Sequence, residues 1–113
     1  MAKIRITSGN VEMSATLNET ETASKLLSVL PCKGTANRWG DEVYFEIPLE
    51  MREENPQAKV PSGAIAYWPP GKAFCIFFGQ VPYSPVNVLG SLDGNEKEFS
   101  KVRDGDTVTL EKA

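Results

Sequence analysis

One short segment of the chain is apolar on both faces of the strand that it predicts, and this constrains the fold more than any other feature. Successive side chains of a strand point to opposite faces. Residues 73–78 therefore present two apolar rows: Phe74, Ile76 and Phe78 on one face, and Ala73, Cys75 and Phe77 on the other. A strand with one face in water would alternate with polar residues, so this strand is covered on both faces or lines an apolar groove. We expect the Phe74 row to fill a barrel interior and the Cys75 row to face outwards.

Around this strand the sequence predicts further short strands and one amphipathic helix. Two alternating segments flank the turn Ser8-Gly9-Asn10 and predict a β-hairpin. Apolar residues at helical spacing predict a helix over Asn18–Leu30, which Pro31 ends. Four further strands are predicted, at Asp41–Pro48, Ala64–Trp68, Val86–Leu92 and Asp106–Glu111. A short helix is predicted at Glu96–Val102. The charged segment Leu49–Pro61 is predicted to be a loop, with at most one helical turn at Glu50–Glu54.

Seven or eight short strands separated by glycine and proline turns indicate a mainly β protein. With 113 residues the chain has room for one core, so residues 1–113 are expected to form a single domain. Closure removes the exposed sheet edges of a small protein. We therefore predict a closed eight-stranded β-barrel with one or two short capping helices.

Composition excludes several classes of function. A net charge of −3 without a basic tract argues against nucleic-acid binding, and no apolar run is long enough to cross a bilayer. The N-terminal residues read as a strand rather than a signal peptide, so a cytoplasmic location is expected. The chain has no histidine and only two distant cysteines, Cys32 and Cys75, which are expected to be free thiols. We predict neither a metal site nor a cofactor.

Three segments resemble the cyclophilin-like barrels, and more closely a family of small, mostly uncharacterised prokaryotic proteins with a minimal barrel of this type. They are YFEIP at Tyr44–Pro48, SGAIAYWPPGKAFCIFFG at Ser62–Gly79, and VNVLGSLDG at Val86–Gly94. The unusual Trp-Pro-Pro-Gly run is the most specific of these signatures. The resemblance covers most of the chain and implies the cyclophilin-like fold.

The resemblance does not extend to the catalytic residues of the prolyl isomerases. At the position of the cyclophilin arginine, which polarises the amide preceding proline, this chain has Glu46, and the charge is therefore of the wrong sign. The phenylalanine of the proline pocket corresponds to Cys75, and the pocket histidine would lie near Val86. The cyclophilin tryptophan and the Phe-x-Met-x-Gln motif are also missing.

We therefore expect a non-catalytic module that binds a small molecule or a peptide in an outer groove, with no catalytic residue assigned. The candidate groove residues are Tyr44, Glu46, Trp68, Pro70, Lys72, Cys75, Phe77, Tyr83 and Val86. Three alternatives stay open: a prolyl isomerase in which Arg38, Arg52 or Lys72 replaces the lost arginine, a different enzyme, and a homodimer formed through the apolar face. Trp39 is expected to cap one barrel end or to stack on a ligand, while Asp41 and Glu42 are expected to be solvated.

Overall fold

The computed structural model describes residues 2–113, which form nine strands, one α-helix and two 3₁₀ turns. The strands are β1 (Lys3–Ser8), β2 (Val11–Leu17), β3 (Cys32–Thr35), β4 (Asn37–Arg38), β5 (Glu42–Glu46), β6 (Ala64–Trp68), β7 (Ala73–Phe77), β8 (Asn87–Leu92) and β9 (Thr107–Lys112). The helix α1 spans Glu21–Ser28, and the 3₁₀ turns span Pro69–Gly71 and Glu96–Lys101. No helix within residues 2–113 combines the length and the apolar character needed to span a membrane.

The strands form one antiparallel sheet in the order β3-β9-β1-β2-β8-β6-β7-β5-β4. The sheet curls until its two ends approach each other. A Cβ atom on Gly34 of β3 would lie 2.8 Å from both the Phe45 ring and the Glu46 carbonyl oxygen of β5. Glycine therefore permits the close approach that nearly closes the barrel. The fold is the mainly β barrel that the sequence predicts.

The predicted number of eight strands is wrong by one. The short strands β3 and β4 follow the helix, in a segment without an alternating apolar pattern. They pair with β9 and with the adjacent β5 respectively, so backbone pairing, rather than an apolar pattern, defines these two strands. The helix is also shorter than predicted, because Thr20 caps its first turn by accepting a hydrogen bond from the Ala23 amide.

The segment between β5 and β6 contains no helical turn but is held in place by hydrogen bonds of polar side chains. The Glu54 carboxylate accepts hydrogen bonds from the Glu21 and Thr22 amides, at 3.0 and 2.8 Å, at the start of α1. The buried Asn87 side chain donates to the Arg52 carbonyl oxygen at 2.8 Å. These bonds fasten the long connection against β8, and they bring Val60 onto the outer face of the sheet.

The two apolar rows of β7 belong to two separate clusters. Phe74, Ile76 and the following Phe78 lie in the barrel interior, which we call the inner core. The other row joins a smaller group on the opposite side of the sheet, here called the outer cluster: Ala66, Ala73, Cys75, Phe77 and Val86, with Tyr44, Val60 and Trp68 packed around it. Strand β7 is thus covered on both faces, as its sequence requires.

Candidate functional site

A cavity of about 260 Å³ opens at one end of the outer cluster. Its floor is Phe77, which is fully buried on β7. Residues of β5, β6 and the segment connecting β7 to β8 form the walls. We call this cavity the outer pocket; it is lined by Trp39, Glu42, Tyr44, Trp68, Phe77, Pro82, Tyr83, Ser84 and Val86.

Four aromatic rings enclose the outer pocket through successive edge-to-face contacts. The ring centroids of Trp39 and Tyr83 lie 5.7 Å apart, with 84° between the ring planes. Tyr83 meets Trp68 at 6.3 Å and 86°, and Trp68 meets Tyr44 at 6.5 Å and 74°. Edge-to-face pairs are a favoured arrangement of aromatic side chains. Neighbouring ring planes are therefore steeply inclined to one another, and the four rings form a continuous series along the pocket lining.

Trp68 is fixed by the turn that follows it and by the opposite loop. Its indole N–H donates a 2.6 Å hydrogen bond to the Ser84 hydroxyl group. The six-membered part of the indole lies over Gly71, where a Cβ atom would come within 2.7 Å of two ring carbons. Pro69 and Pro70 hold the intervening 3₁₀ turn, because each proline ring fixes its own φ. This wall is therefore positioned before any ligand binds.

The loop Gly79–Pro85 forms the exposed rim of the pocket. Tyr83 has an exposed fraction of 78%, although its ring contacts two other walls. Trp39, on the turn between β4 and β5, is 39% exposed. Its amide donates to the Glu42 carbonyl oxygen at 3.0 Å, which holds the turn beside the end of β7. Large aromatic rings that remain this exposed are typical of binding surfaces.

Glu42 is a carboxyl group placed among these rings. Its residue is only 6% exposed, and it pairs with Phe77 in the β5–β7 register. Burial raises the pKa of its carboxyl from 4.5 to about 7, because the apolar walls disfavour the charged form. A hydrogen bond with the Cys75 thiol acts in the opposite direction and lowers that pKa. The structure corrects the expectation that Glu42 is a solvated surface residue.

The Cys75 thiol lies beneath Glu42 in the outer cluster. Burial, followed by the nearby Glu42 carboxylate, raises the pKa of this thiol well above its ordinary value. The Cys75 Sγ atom also lies 3.9 Å from the Ala73 carbonyl oxygen, at the outer limit for a hydrogen bond from sulfur. A thiol that resists ionisation is a poor nucleophile. Cys32 is the second free thiol of the chain and is half-buried.

Five of the nine residues predicted for the groove line the outer pocket, and four do not. The five are Tyr44, Trp68, Phe77, Tyr83 and Val86. Of the others, Cys75 is buried against Glu42, and Glu46 is exposed further along β5. Pro70 and Lys72 lie on the turn behind Trp68, where the Lys72 ammonium pairs with Glu50 at 3.7 Å.

Four lining residues are not among those predicted for the groove: Trp39, Glu42, Pro82 and Ser84. Trp39 is predicted to cap one barrel end or to stack on a ligand, and the structure places it in the pocket lining. Its distance from Trp68 in the chain gives no reason to expect the two side chains close together. Glu42 does carry a usable signal, since it alternates with Tyr44 on the outer face of β5. That alternation places its side chain beside Phe77 rather than in solvent.

The outer pocket offers no arrangement for metal binding. Across residues 2–113, no three His, Cys, Asp or Glu side chains come together as metal ligands would. The pocket instead combines apolar aromatic surface with one carboxyl group, an arrangement suited to holding a small organic group.

Comparisons with known proteins agree with this architecture. A family profile described as Cyclophilin-like matches residues 2–111. The solution structure of the hypothetical protein AF2241 from Archaeoglobus fulgidus is 38% identical, with a TM-score of 0.84, and the match covers 99% of this chain and 95% of that one. The structure of McbB in complex with tryptophan has the same fold at 15% identity and a TM-score of 0.77, covering 96% of this chain but 44% of McbB. A search of curated proteins gives no match.

Proposed function

The chain belongs to the cyclophilin-like family, and within that family we propose that it is a binding module whose outer pocket holds a small molecule or one side chain of a peptide. The observation that carries this proposal is the preformed cavity of about 260 Å³ walled by four aromatic rings, each in contact with the next. Its volume lies just below the ~300–1,000 Å³ typical of ligand pockets. A compact ligand is therefore a better fit than an extended peptide.

The rigidity of the pocket supports binding, because walls that are already ordered cost little entropy when a ligand enters. The hydrogen bond from Trp68 to Ser84 joins two walls, and prolines stiffen the segments on both sides of it. Tyr83 at the rim leaves an entrance from solvent.

The positions of the basic residues give no support to prolyl isomerase activity. The Arg38 guanidinium lies over the Phe78 ring and donates to the carbonyl oxygens of Gly40, Ser100 and Val102. Among residues 2–113, no lysine or arginine lines the outer pocket. We therefore assign the pocket a role in binding, since no described lysine or arginine is placed there to polarise a prolyl amide.

Both tryptophans of the chain line the pocket, so their signals report directly on its occupancy. We suggest screening small amines, amino acids, nucleosides and short peptides by the indole N–H resonances and by thermal shift. Tryptophan belongs in the panel, because the related fold of McbB was determined with tryptophan bound. A ligand at a hundredfold excess over its Kd should stabilise the protein by about 2.7 kcal/mol.

Two variants of the rim loop provide the matched test. Tyr83→Ala removes a pocket wall, whereas Val81→Ala trims an exposed side chain of the same loop that does not line the pocket. We expect Tyr83→Ala to weaken binding of any hit by about tenfold and Val81→Ala to leave it unchanged. Equal effects of both variants, or a panel in which no compound perturbs either indole resonance, would count against the proposed function. Light scattering on the same samples tests the homodimer alternative.

A further inference from the structure

The outer pocket holds one carboxyl group that no basic side chain neutralises. None of the four ion pairs found among residues 2–113 includes Glu42. Its side-chain partner is the neutral thiol of Cys75. A buried carboxyl group that ionises is costly unless a cation accompanies it, and in the empty pocket it can avoid this cost only by taking up a proton. The pocket therefore has a place for a positive charge that the protein itself does not supply.

The aromatic walls are suited to the same kind of charge. Trp, Tyr and Phe rings attract cations to their faces, and the attraction strengthens when the site is shielded from water. Trp39, Tyr83, Trp68 and Tyr44 all line the same cavity, each ring in edge-to-face contact with the next. Glu42 lies in the lining of that cavity.

An inorganic cation does not fit this lining. Calcium and magnesium need six or more oxygen ligands, including water, and prefer several carboxylate or carbonyl groups. The outer pocket supplies one carboxyl group and mostly apolar surface. An alkylated ammonium group has a weaker hold on water and carries methyl or methylene groups that can pack against the rings.

We propose that the outer pocket binds a substituted ammonium cation, with the aromatic walls around its alkyl groups and the Glu42 carboxylate as its counter-charge. This inference rests on the proposed function and adds the chemical class of the ligand. The shared chemistry occurs in free amines of the choline type and in methylated lysine side chains, and the experiment below separates these two sources.

Such binding is coupled to the ionisation of Glu42. The titratable groups around its carboxyl are the Cys75 thiol of β7 and the phenol groups of Tyr44 on β5 and Tyr83 on the rim loop. None of these supplies a positive charge. Since the pKa of Glu42 in the empty pocket is about 7, a bound cation must favour the ionised form and release a proton. Binding should therefore strengthen as pH rises through neutrality.

The experiment compares choline with its neutral carbon analogue, in which the ammonium nitrogen is replaced by carbon, by calorimetry and by the indole resonances. The two compounds have the same shape, and the charge of choline does not change with pH. We expect choline to bind about tenfold more tightly than the analogue. Its affinity should rise by up to about tenfold between pH 6 and pH 8, in proportion to the ionised fraction of Glu42. The analogue should show no such pH dependence.

Glu42→Gln tests the counter-charge, with Glu111→Gln as the matched control at an exposed carboxylate of β9. We expect Glu42→Gln to lower choline affinity at pH 8 by about tenfold and to abolish its pH dependence, while Glu111→Gln changes neither. Thermal unfolding checks that both variants fold. A short peptide carrying trimethyl-lysine, run beside choline, shows whether the free or the peptide-borne cation is preferred.

Two results with choline itself, and one from the wider screen, would overturn the inference while leaving the proposed function intact. One is equal binding of choline and its carbon analogue, and the other is unchanged choline binding by a folded Glu42→Gln protein. If the pocket binds other compounds from the screen but neither choline nor the trimethyl-lysine peptide, the cation assignment is wrong. If nothing binds in the pocket at all, the proposed function itself fails.

Discussion

Phe74 and Phe77 lie three residues apart near the two ends of β7, and both are fully buried, yet they occupy different environments. Phe74 packs in the inner core, where its ring centroid is 5.5 Å from that of Phe45. Phe77 belongs to the outer cluster and forms the floor of an open cavity. The inner core surrounds its aromatic ring on all sides, whereas the outer cluster leaves space beside it.

The two sides of β7 differ in how completely the space around their side chains is filled. Protein interiors are close-packed and leave few voids larger than a water molecule. The outer pocket keeps an unfilled volume, exposed rings and a buried carboxyl group, all of which lower stability compared with an apolar, filled surface. Features of this kind are expected at a binding site, because the ligand supplies the missing contacts.

The largest expected effect comes from removing each phenylalanine ring in turn. Phe74→Ala should lower the free energy of unfolding by about 3–5 kcal/mol, since it leaves an enclosed void. Phe77→Ala should cost about 1–2 kcal/mol less, because its void merges with a cavity that water can enter. Urea unfolding measures both values. If the two variants lose equal stability, the outer cluster is as tightly packed as the inner core, and the difference described between the two sides of β7 is wrong.

The pH dependence of the free energy of unfolding tests the outer pocket separately from the inner core. The pKa of Glu42 rises from 4.5 to about 7 on folding, so the folded state holds more protons than the unfolded state between these values. The resulting stabilisation is fully present below pH 4.5 and is lost as pH rises through 7. Because the pocket admits water, we expect the loss to be about 1–2 kcal/mol.

The variant Glu42→Gln isolates this effect, because it cannot ionise at that position. Its free energy of unfolding should match that of the wild type near pH 4 and exceed it at pH 8.5. The chain has no histidine to confuse the comparison in this range. A constant difference between the two proteins from pH 4 to pH 8.5 would mean that the carboxyl is solvated and that the pocket is more open than the structure indicates.

A smaller change at the turn behind Trp68 should affect the pocket more than the core. In Gly71→Ala the added methyl group would meet the Trp68 ring at 2.7 Å, so the ring must move. We expect a loss of about 1 kcal/mol and a shifted Trp68 indole resonance. Gly94→Ala is the control, since its methyl group meets only the flexible end of Met13 at 3.2 Å. An unchanged Trp68 resonance in Gly71→Ala would show that the turn does not position this wall.

Several elements could be read directly from the sequence because their signals are local. The hairpin of β1 and β2 follows from alternation around Ser8-Gly9-Asn10, and β6 has the predicted bounds Ala64–Trp68. The two apolar rows of Ala73–Phe78 required cover on both faces, and the structure supplies it. Side-chain alternation operates within a single strand, so it can be recognised without knowing the partners.

The strands β3 and β4 after α1 could not be predicted, because they contain few apolar residues. Each is defined by its backbone pairing, β3 with β9 and β4 with β5. The charge state of Glu42 could not be predicted either. An acidic residue beside a turn is usually solvated, whereas Glu42 is buried by residues from separate parts of the chain.

The sequence by itself determined a mainly β barrel with a strand that is apolar on both faces, together with five residues that line the pocket on its outer side. The tertiary structure decided how the pocket is assembled. Trp39, Trp68 and Tyr83 come from three separate segments of the chain, and no local pattern states that their rings will meet. Burial of Glu42 is likewise a property of that assembly, because desolvation depends on the groups that surround a side chain and not on its neighbours in the chain.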